Sequence, residues 1–457
     1  MNCKHDTIVS RVTPAIQCNI GIIRVSGKLA SEVSIKILGK IPLARYASYL
    51  PFFDIKGKIL DHGIALWFPS PHSFTGEDSL ELQGHGNPIV INLLISNILS
   101  IPNIRLSRPG EFSERAFLNG KIDLVQAESI VDLINANSEQ AARAALHSLQ
   151  GVFSHRVNHL IEKFKKFRVM IETFINFSEH EVHFDFKYNI NKKVNKFIYL
   201  LNNILKISIR NSILREGIKI VICGAPNSGK SSLLNTLSKT NRAIVTDIPG
   251  TTRDVIYENI NIDGTLFKIV DTAGLRLTED FIERIGIQFA WKEINSADHI
   301  FFVIDGTSND SDQVKNYVNF IKLISKNVDV TIVFNKSDLN NFKINLKYFK
   351  NKNYISISTL TQKGIKNLCK HLCNVFKIDK FSKNDEDVFL ARQRHINILS
   401  KVLNYVKESK INWNKFNNIE LLADDMRVCQ EELSGIVGSF STDQLLSDIF
   451  SKFCIGK

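Results

Sequence analysis

The sequence predicts a multidomain protein of the α/β plus α class: an N-terminal mixed α/β domain, a helical bundle made from two separated stretches, and an inserted P-loop domain of Ras-like α/β fold. Three observations carry this. A glycine-rich loop stands between an apolar strand and a helix-forming run at Val221–Ser231. Three further apolar runs follow it, ending at Asp271, Asp305 and Asn335. Stretches with apolar residues at every third or fourth position flank the whole on both sides.

The loop reads Gly224-Ala225-Pro226-Asn227-Ser228-Gly229-Lys230-Ser231, with Ser232-Leu233-Leu234-Asn235 opening a helix. In this G-x-x-x-x-G-K-S pattern the glycines let backbone N–H groups turn around a phosphate, Lys230 adds a point charge, and the Ser231 hydroxyl suits Mg²⁺. Val270-Asp271-Thr272-Ala273-Gly274 ends the next strand on an acid that can hold Mg²⁺ through a water. Ile300–Asp305 and Val330–Phe334 are two more buried strands, and the second leads into Asn335-Lys336-Ser337-Asp338. The Asp338 carboxylate can accept from N1–H and the 2-amino group of guanine. Adenine offers neither donor, and the acid would go unpaired at about 1–3 kcal/mol or more. The order of motifs therefore implies GTP, and makes this a P-loop GTPase domain.

Composition sets bounds around that domain. At 457 residues, 44% hydrophobic and 23% charged, the chain has room for two or three folded cores. No apolar run reaches the ~18–20 residues of a membrane span, and Met1–Asp6 lacks the apolar core of a signal peptide. Seven cysteines scattered from Cys3 to Cys454 make no disulfide framework, so a cytoplasmic location with no membrane is expected. The net charge of +12 fits an anionic partner such as nucleic acid, and fits a merely lysine-rich surface as well.

In chain order, residues 1–120 form the mixed α/β domain. Ile20–Val25, Gly63–Phe68 and the alternating Ser79–Gln83 read as strands, and Pro88–Leu99 as a helix with proline in its first turn. Residues 121–215 are helical, with one long amphipathic pattern over Ile122–Phe177 and a second over Val194–Leu214. Residues 216–378 are the nucleotide domain. Asp379–Asp387 is a polar linker, and residues 379–457 supply the second helical part.

Two features depart from a generic regulatory GTPase. Leu275 follows Asp271-Thr272-Ala273-Gly274 where a water-orienting Gln is expected, leaving Glu279, Asp280 and Glu283 as acidic candidates for that task. Asn227 inside the loop suits either a turn or a cation ligand that would neutralise charge at the bridging phosphate oxygen.

Asp247-Ile248-Pro249-Gly250-Thr251-Thr252-Arg253-Asp254 and the terminal Phe453-Cys454-Ile455-Gly456-Lys457 resemble the bacterial tRNA-modification GTPase MnmE (TrmE) family. So do Ser73–Asp78, Leu82–Gly86, Arg108–Phe117 and Glu283–Gly286, which spreads the resemblance over nearly the whole chain. It implies an N-terminal folate-binding and dimerising domain and a homodimer. It also implies a heterotetramer with the FAD-dependent MnmG, and work on tRNA at the wobble uridine. By resemblance, K⁺ is held by Asn227, backbone oxygens of Thr246 and Ile248, and Thr251; Mg²⁺ is held by Ser231 and Thr252. Glu283 is then the water-orienting acid, Lys230 acts on the phosphates, and Arg253 and Asp254 lie in a switch ordered on dimerisation. Ser358-Thr359-Leu360 takes the place of the family's guanine-contacting Ser-Ala-Lys or Ser-Ala-Arg. Arg24, Glu81, Lys121 and Lys457 match contacts to 5-formyl- or 5,10-methylene-tetrahydrofolate. Ala15–Ile20 departs from a glycine-rich family segment, with bulkier side chains that either narrow the folate pocket or refill a loop.

Other groups point to ordinary structure. Cys369 and Cys373 have helical spacing without a second ligand pair. Glu179–His183 has metal-ligating types in an expected loop at the end of a helix, and Cys454 has no neighbouring base. Two other functions compete: a ribosome-assembly GTPase acting as an RNA-binding switch, and a folate-dependent aminomethyl transferase with an accessory nucleotide domain. The first needs an RNA-binding platform after residue 378, where the pattern is helical instead.

Overall fold

The computed structural model describes residues 6–177, 184–240, 258–271, 291–307, 310–324, 328–339, 353–376, 378, 388–438, 443–451, 453 and 456. These fall into two compact units, one drawn from Met1–Val131, Ser154–Ile198 and Lys401–Lys457, the other from Asp132–Phe153 and Tyr199–Ser400. No described helix is long and apolar enough to cross a membrane.

In the first unit six strands make a sheet of order β3-β4-β5-β2-β1-β6: β1 Thr7–Arg11, β2 Cys18–Ser26, β3 Ser48–Phe53, β4 Ile59–Phe68, β5 Ser79–Gly86 and β6 Ile104–Leu106. Only the β1–β6 pair is parallel. Strand alternation sends Ile23, Val25, Ala65, Trp67, Leu80 and Leu82 to one face, in a common core with Val33 and Ile37 of α1 (Ala30–Leu38) and Ile91, Leu94 and Ile98 of α2 (Pro88–Leu99). Asn87 caps α2 by accepting from the Ile89 N–H, and Pro88 occupies the first turn, where its missing donor is harmless. Arg24 and Glu81 are paired in register and, by the same alternation, share the opposite face.

The single pattern over Ile122–Phe177 is three helices: α4 Leu124–Ile134, α5 Glu139–Leu149 and α6 Val152–Phe177. Local chemistry makes the breaks. Ser138 Oγ accepts from the Ala141 N–H at 3.1 Å to start α5, and Gly151 at φ 90° turns the chain before α6. The second pattern lies inside the longer α7, Phe184–Glu216, which stops at Gly217 (φ 74°). Within the first unit Phe164 stacks on Phe197 at 4.2 Å, tying α6 to α7. Leu124 and Ala127 of α4 form a cluster with Ile449 and Phe450 of the last helix, Asp443–Phe450.

Beneath α3 (Glu111–Leu118) lies a charged knot. Glu111, 2% exposed at its side chain, accepts from Arg105 at 2.6 Å, from Arg115 at 3.1 Å and from the Arg108 amide at 2.8 Å. Burial alone would raise the carboxyl pKa, but the bonds from Arg105, the Arg108 amide and Arg115 outweigh it and hold it at about 2. With the folded value below the unfolded one, this stabilisation is complete above about pH 4.5 and is lost as pH falls through about 2. Glu111→Ala removes the acceptor that Arg105 and Arg115 share and leaves them, as carboxylate partners, only Asp6 and Glu77, and denaturant titration at pH 7 is expected to show a loss of about 2–3 kcal/mol, shrinking near pH 2.

The second unit contains a six-stranded sheet of order β12-β11-β10-β7-β9-β8: β7 Ile218–Gly224, β8 Glu258–Ile262, β9 Thr265–Asp271, β10 His299–Asp305, β11 Asp329–Asn335 and β12 Tyr354–Ser356. All pairs are parallel except the β8–β9 hairpin. The central strands are near-continuous apolar runs because both faces are covered. One core joins Ile220 and Ile222 to α8 (Lys230–Thr240) and to Leu368 and Leu372 of α10 (Ile365–Phe376). The other joins Val221 and Phe302 to Tyr317 of α9 (Asp310–Leu323). Helix α5 belongs to this unit, with Ala144 and Ala145 fully buried in the first of these cores and Gln140 bonded to Asp263 O and Thr265 Oγ1. Asp132 accepts from Arg215 at 3.0 Å and Arg392 at 2.9 Å, joining the segments that lead into and out of the sheet.

Candidate nucleotide site

β7 ends at Gly224, whose φ of 145° only glycine adopts readily; a Cβ there would meet Val303 O at 2.2 Å. The chain then turns through Asn227, at φ 62°, and Gly229, at φ 92°, into α8. Asn227 is exposed and holds the left-handed conformation that asparagine tolerates better than most side chains, so its role as a turn former is satisfied whatever else it does. Lys230 is 7% exposed and its ammonium donates to Gly224 O at 3.0 Å and Ala225 O at 2.8 Å, which holds the charge inside the curve of the loop. Ser231 Oγ donates to Asp271 Oδ2 at 2.7 Å. A hydroxyl from the first turn of α8 and a carboxylate from the end of β9, brought together at the loop, are a hard-oxygen donor set that fits Mg²⁺.

The N-K-S-D segment is fastened to the loop. Asn335, 1% exposed, donates from Nδ2 to Ser228 O at 3.0 Å and accepts at Oδ1 from the Thr359 amide at 3.2 Å. Lys336, at φ 65°, is ion-paired through Nζ with Asp305 at the end of β10. Burial raises the Asp305 carboxyl, but Lys336 and the Thr307 hydroxyl and amide more than offset it and its pKa lies below the usual carboxylate value. The sequence marked Asp305 only as the end of a strand. Its anchoring of Lys336 was hidden because the two meet only once β10 and β11 pair at Asp305–Asn335. Asp338 is exposed, in the turn held by Leu339 N–H to Lys336 O and Ser337 N–H to Ile357 O. Ser358 is buried, with Oγ accepting from the Thr361 amide, and Leu360 is 82% exposed.

Around a cavity of about 620 Å³ the structure brings together Asn227, Gly229, Lys230, Ser231, Ser232, Asn335, Lys336 and Thr359. It lies at the carboxyl ends of the parallel strands, where open α/β sheets take ligands. Ser228 is buried beneath this loop. Thr246, Asp247, Ile248, Pro249, Gly250, Thr251, Thr252, Arg253, Asp254, Thr272, Ala273, Gly274, Glu283 and the acids Glu279 and Asp280 lie outside the described residues, as do Lys457, Cys454 and His180 to His183.

In the N-terminal unit Arg24 and Glu81 form an ion pair at 2.7 Å, with the guanidinium 5.8 Å from the rings of Phe74 and Phe112. Lys121 packs at Gly76 and donates to Pro71 O at 2.9 Å, so one loop touches both Lys121 and, through Phe74, Arg24. A carboxylate with flanking cations fits a heteroaromatic ring bearing adjacent N–H donors and an anionic tail. In the segment departing from the family pattern, Ile16 and Ile20 are 66% and 59% exposed, while Cys18 Sγ donates to Ile20 O. Cys369 and Cys373 do lie on one helix, and Cys373 Sγ meets Asp263 Oδ2 at 3.2 Å. Among the described residues no cluster of three metal-ligating side chains occurs.

Loop, acid-ended strand and Asn-Lys-x-Asp turn converging on one cleft define the class: a P-loop GTPase domain, carried here with an N-terminal sheet domain and a helical domain. The model described as "MnmE helical domain" matches residues 124–454, and that described as "GTP-binding protein TrmE N-terminus" matches residues 7–121. A protein of Buchnera aphidicola subsp. Baizongia pistaciae named tRNA modification GTPase MnmE is 61% identical over 460 residues, covering 100% of both chains. One of the same name from Erwinia tasmaniensis is 49% identical over 453 residues, covering 99% of each. Among solved structures, the G domain of the T. maritima FeoB iron transporter matches 36% of this chain and 99% of its own at 22% identity and TM-score 0.26. The FeoB G domain of Methanococcus jannaschii matches 35% and 98% at 21% identity and TM-score 0.27. The chain belongs to the MnmE (TrmE) family of tRNA-modification GTPases.

Proposed function

We propose that this chain is a K⁺-stimulated GTP hydrolase that works with the FAD-dependent MnmG to build an aminomethyl or carboxymethylaminomethyl group at C5 of the tRNA wobble uridine. The convergence of Lys230, the Ser231–Asp271 pair and the Asn335–Lys336 turn on one cleft, in a chain 61% identical end to end to a protein named tRNA modification GTPase MnmE, is the support. Ser231 and Thr252 would hold Mg²⁺ beside GTP, and Asn227, Thr246, Ile248 and Thr251 would hold K⁺, ions that would supply neutralising charge at the phosphate oxygens. Lys230 contributes its fixed charge to the same end. Glu283 orients the attacking water, a task that Leu275 cannot perform, and Arg253 and Asp254 belong to the switch that acts when two nucleotide domains dimerise. Asp338 reads the guanine edge, with Ser358, Thr359 and Leu360 closing over the base. In residues 1–120, Arg24, Glu81 and Lys121, with Lys457, hold a 5-formyl- or 5,10-methylene-tetrahydrofolate that supplies the one-carbon unit. The working assembly is a cytoplasmic homodimer joined to MnmG, with the helical domain split into residues 121–215 and 379–457 around residues 216–378.

GTP turnover in matched K⁺ and Na⁺ buffers tests the cation step. Wild type is expected to run about ten-fold faster or more in K⁺, and Asn227→Ala to bring the ratio close to one. Equal rates for wild type in both salts would remove K⁺ from the mechanism.

A further inference from the structure

We propose that the outward stripe of α7 is a docking surface for the RNA backbone of the tRNA, an inference that rests on the tRNA reading above. The stripe comprises Lys192, Lys196, Tyr199, Asn203, Lys206 and Arg210. Their spacings of four, three, four, three and four keep them on one helical face over about 27 Å. All but the half-buried Arg210 are exposed, Tyr199 to 65%. The complementary face of the same helix, Ile190, Val194, Phe197, Leu201 and Ile204, is buried.

Charge distribution separates this stripe from a merely lysine-rich surface. No Asp or Glu stands between Asp185 and Glu216, so the lysines have no acidic neighbour one turn away along the helix. Other helices behave differently: α6 pairs Lys165 with Glu162 and Arg168 with Glu172, and in the C-terminal helices Lys401 meets Glu432 and Arg427 meets Glu431. A compositional excess of lysine would not by itself strip acids from one helix while leaving them on its neighbours. The exposed tyrosine ring in the middle of the stripe favours RNA over an acidic protein. Unpaired bases stack on such a ring, amides such as that of Asn203 reach base edges and 2′-hydroxyls, and flanking lysines take phosphates.

Binding of fluorescein-labelled tRNA carrying a wobble uridine, titrated at several salt concentrations, tests this. The Lys192→Gln/Lys196→Gln/Lys206→Gln triple variant is expected to lose about ten-fold or more in affinity near 0.1 M salt, and its log–log salt slope to flatten by about two to three. Tyr199→Leu is expected to lose about five-fold or more while Tyr199→Phe keeps wild-type binding. GTP turnover and melting temperature should stay at wild-type values throughout. The control is Lys407→Gln/Lys410→Gln/Lys415→Gln, which removes the same charge from the helix Gln393–Phe416 and should change tRNA affinity by less than about two-fold. An unchanged α7 triple, equal losses in both triples, or a loss confined to MnmG binding would each overturn the proposal. Wild type that fails to bind tRNA would remove the tRNA reading with it, whereas a failure confined to the α7 variants would leave that reading standing.

Discussion

Asp338→Asn is expected to lower affinity for GTP by a factor on the order of 10²–10³ and to raise affinity for xanthosine triphosphate. On the reading proposed for Asp338, the carboxylate accepts from two guanine donors, N1–H and the 2-amino group, and hydrogen bonds to a charged group are worth about 1.5–3 kcal/mol each. An asparagine amide has one acceptor and one donor head. It keeps the N1–H bond but turns an N–H toward the exocyclic amine, so one contact is lost and replaced by two opposed donors. Xanthine carries a carbonyl at that position, and the amide then matches both groups. Competition of GTP, xanthosine triphosphate and ATP against a fluorescent guanine nucleotide measures all three. A variant that still prefers GTP over xanthosine triphosphate by the wild-type margin would remove Asp338 from base recognition.

The selectivity depends on how firmly that turn is set. Asp338 is exposed and has no burial to fix it; what fixes the backbone is Lys336, held at a positive φ by its pairing with Asp305, and the Ser337 amide bonded to Ile357 O. Guanine reading as proposed here would therefore rest on three strand ends, β10, β11 and the residues just past β12, and not on one acid.

This explains what the sequence could and could not reveal. The apolar runs before Gly224, Asp271, Asp305 and Asn335 were legible because strands covered on both faces must be apolar throughout, and a glycine-lysine-serine loop has few other uses. Lys230, Ser231 and Asn335 followed from those motifs. Asp305 did not, since an acid after a strand is common and its partner Lys336 is 31 positions away. The burial of α5 in the nucleotide unit was equally hidden, because Ala141, Ala144 and Ala145 give a weak apolar stripe whose partners, Ile218 to Phe267, lie far along the chain. In the N-terminal sheet the alternation of β5 was readable. The short β6, buried at only one of its three positions, carried too little pattern to be seen, and its parallel pairing with β1 is set by tertiary contact.

Gly229→Val is expected to abolish measurable GTP binding, a loss on the order of 10²-fold or more, while moving the melting temperature far less than a core substitution would. Gly229 sits at φ 92°, which a β-branched residue adopts only under strain, and its Cβ would stand 2.1 Å from Asn335 Nδ2. That nitrogen donates to Ser228 O and ties the glycine-rich loop to the N-K-S-D turn. Relief of the overlap must swing the buried amide away or push the loop outward. The first leaves Ser228 O and the Thr359 amide without their partner, and the second displaces the Lys230 ammonium from the curve it now occupies. Gly435→Ala is the control, because a Cβ there meets nothing within 4 Å in the last turn of the helix Ile419–Val437 and is expected to be neutral or stabilising by about 0.4–1 kcal/mol. Isothermal titration with GTP alongside circular-dichroism melts distinguishes the outcomes. Retained binding in Gly229→Val would mean that the loop and the N-K-S-D turn act independently. A collapse of the melt would mean that the tie holds the sheet itself together and not only the site.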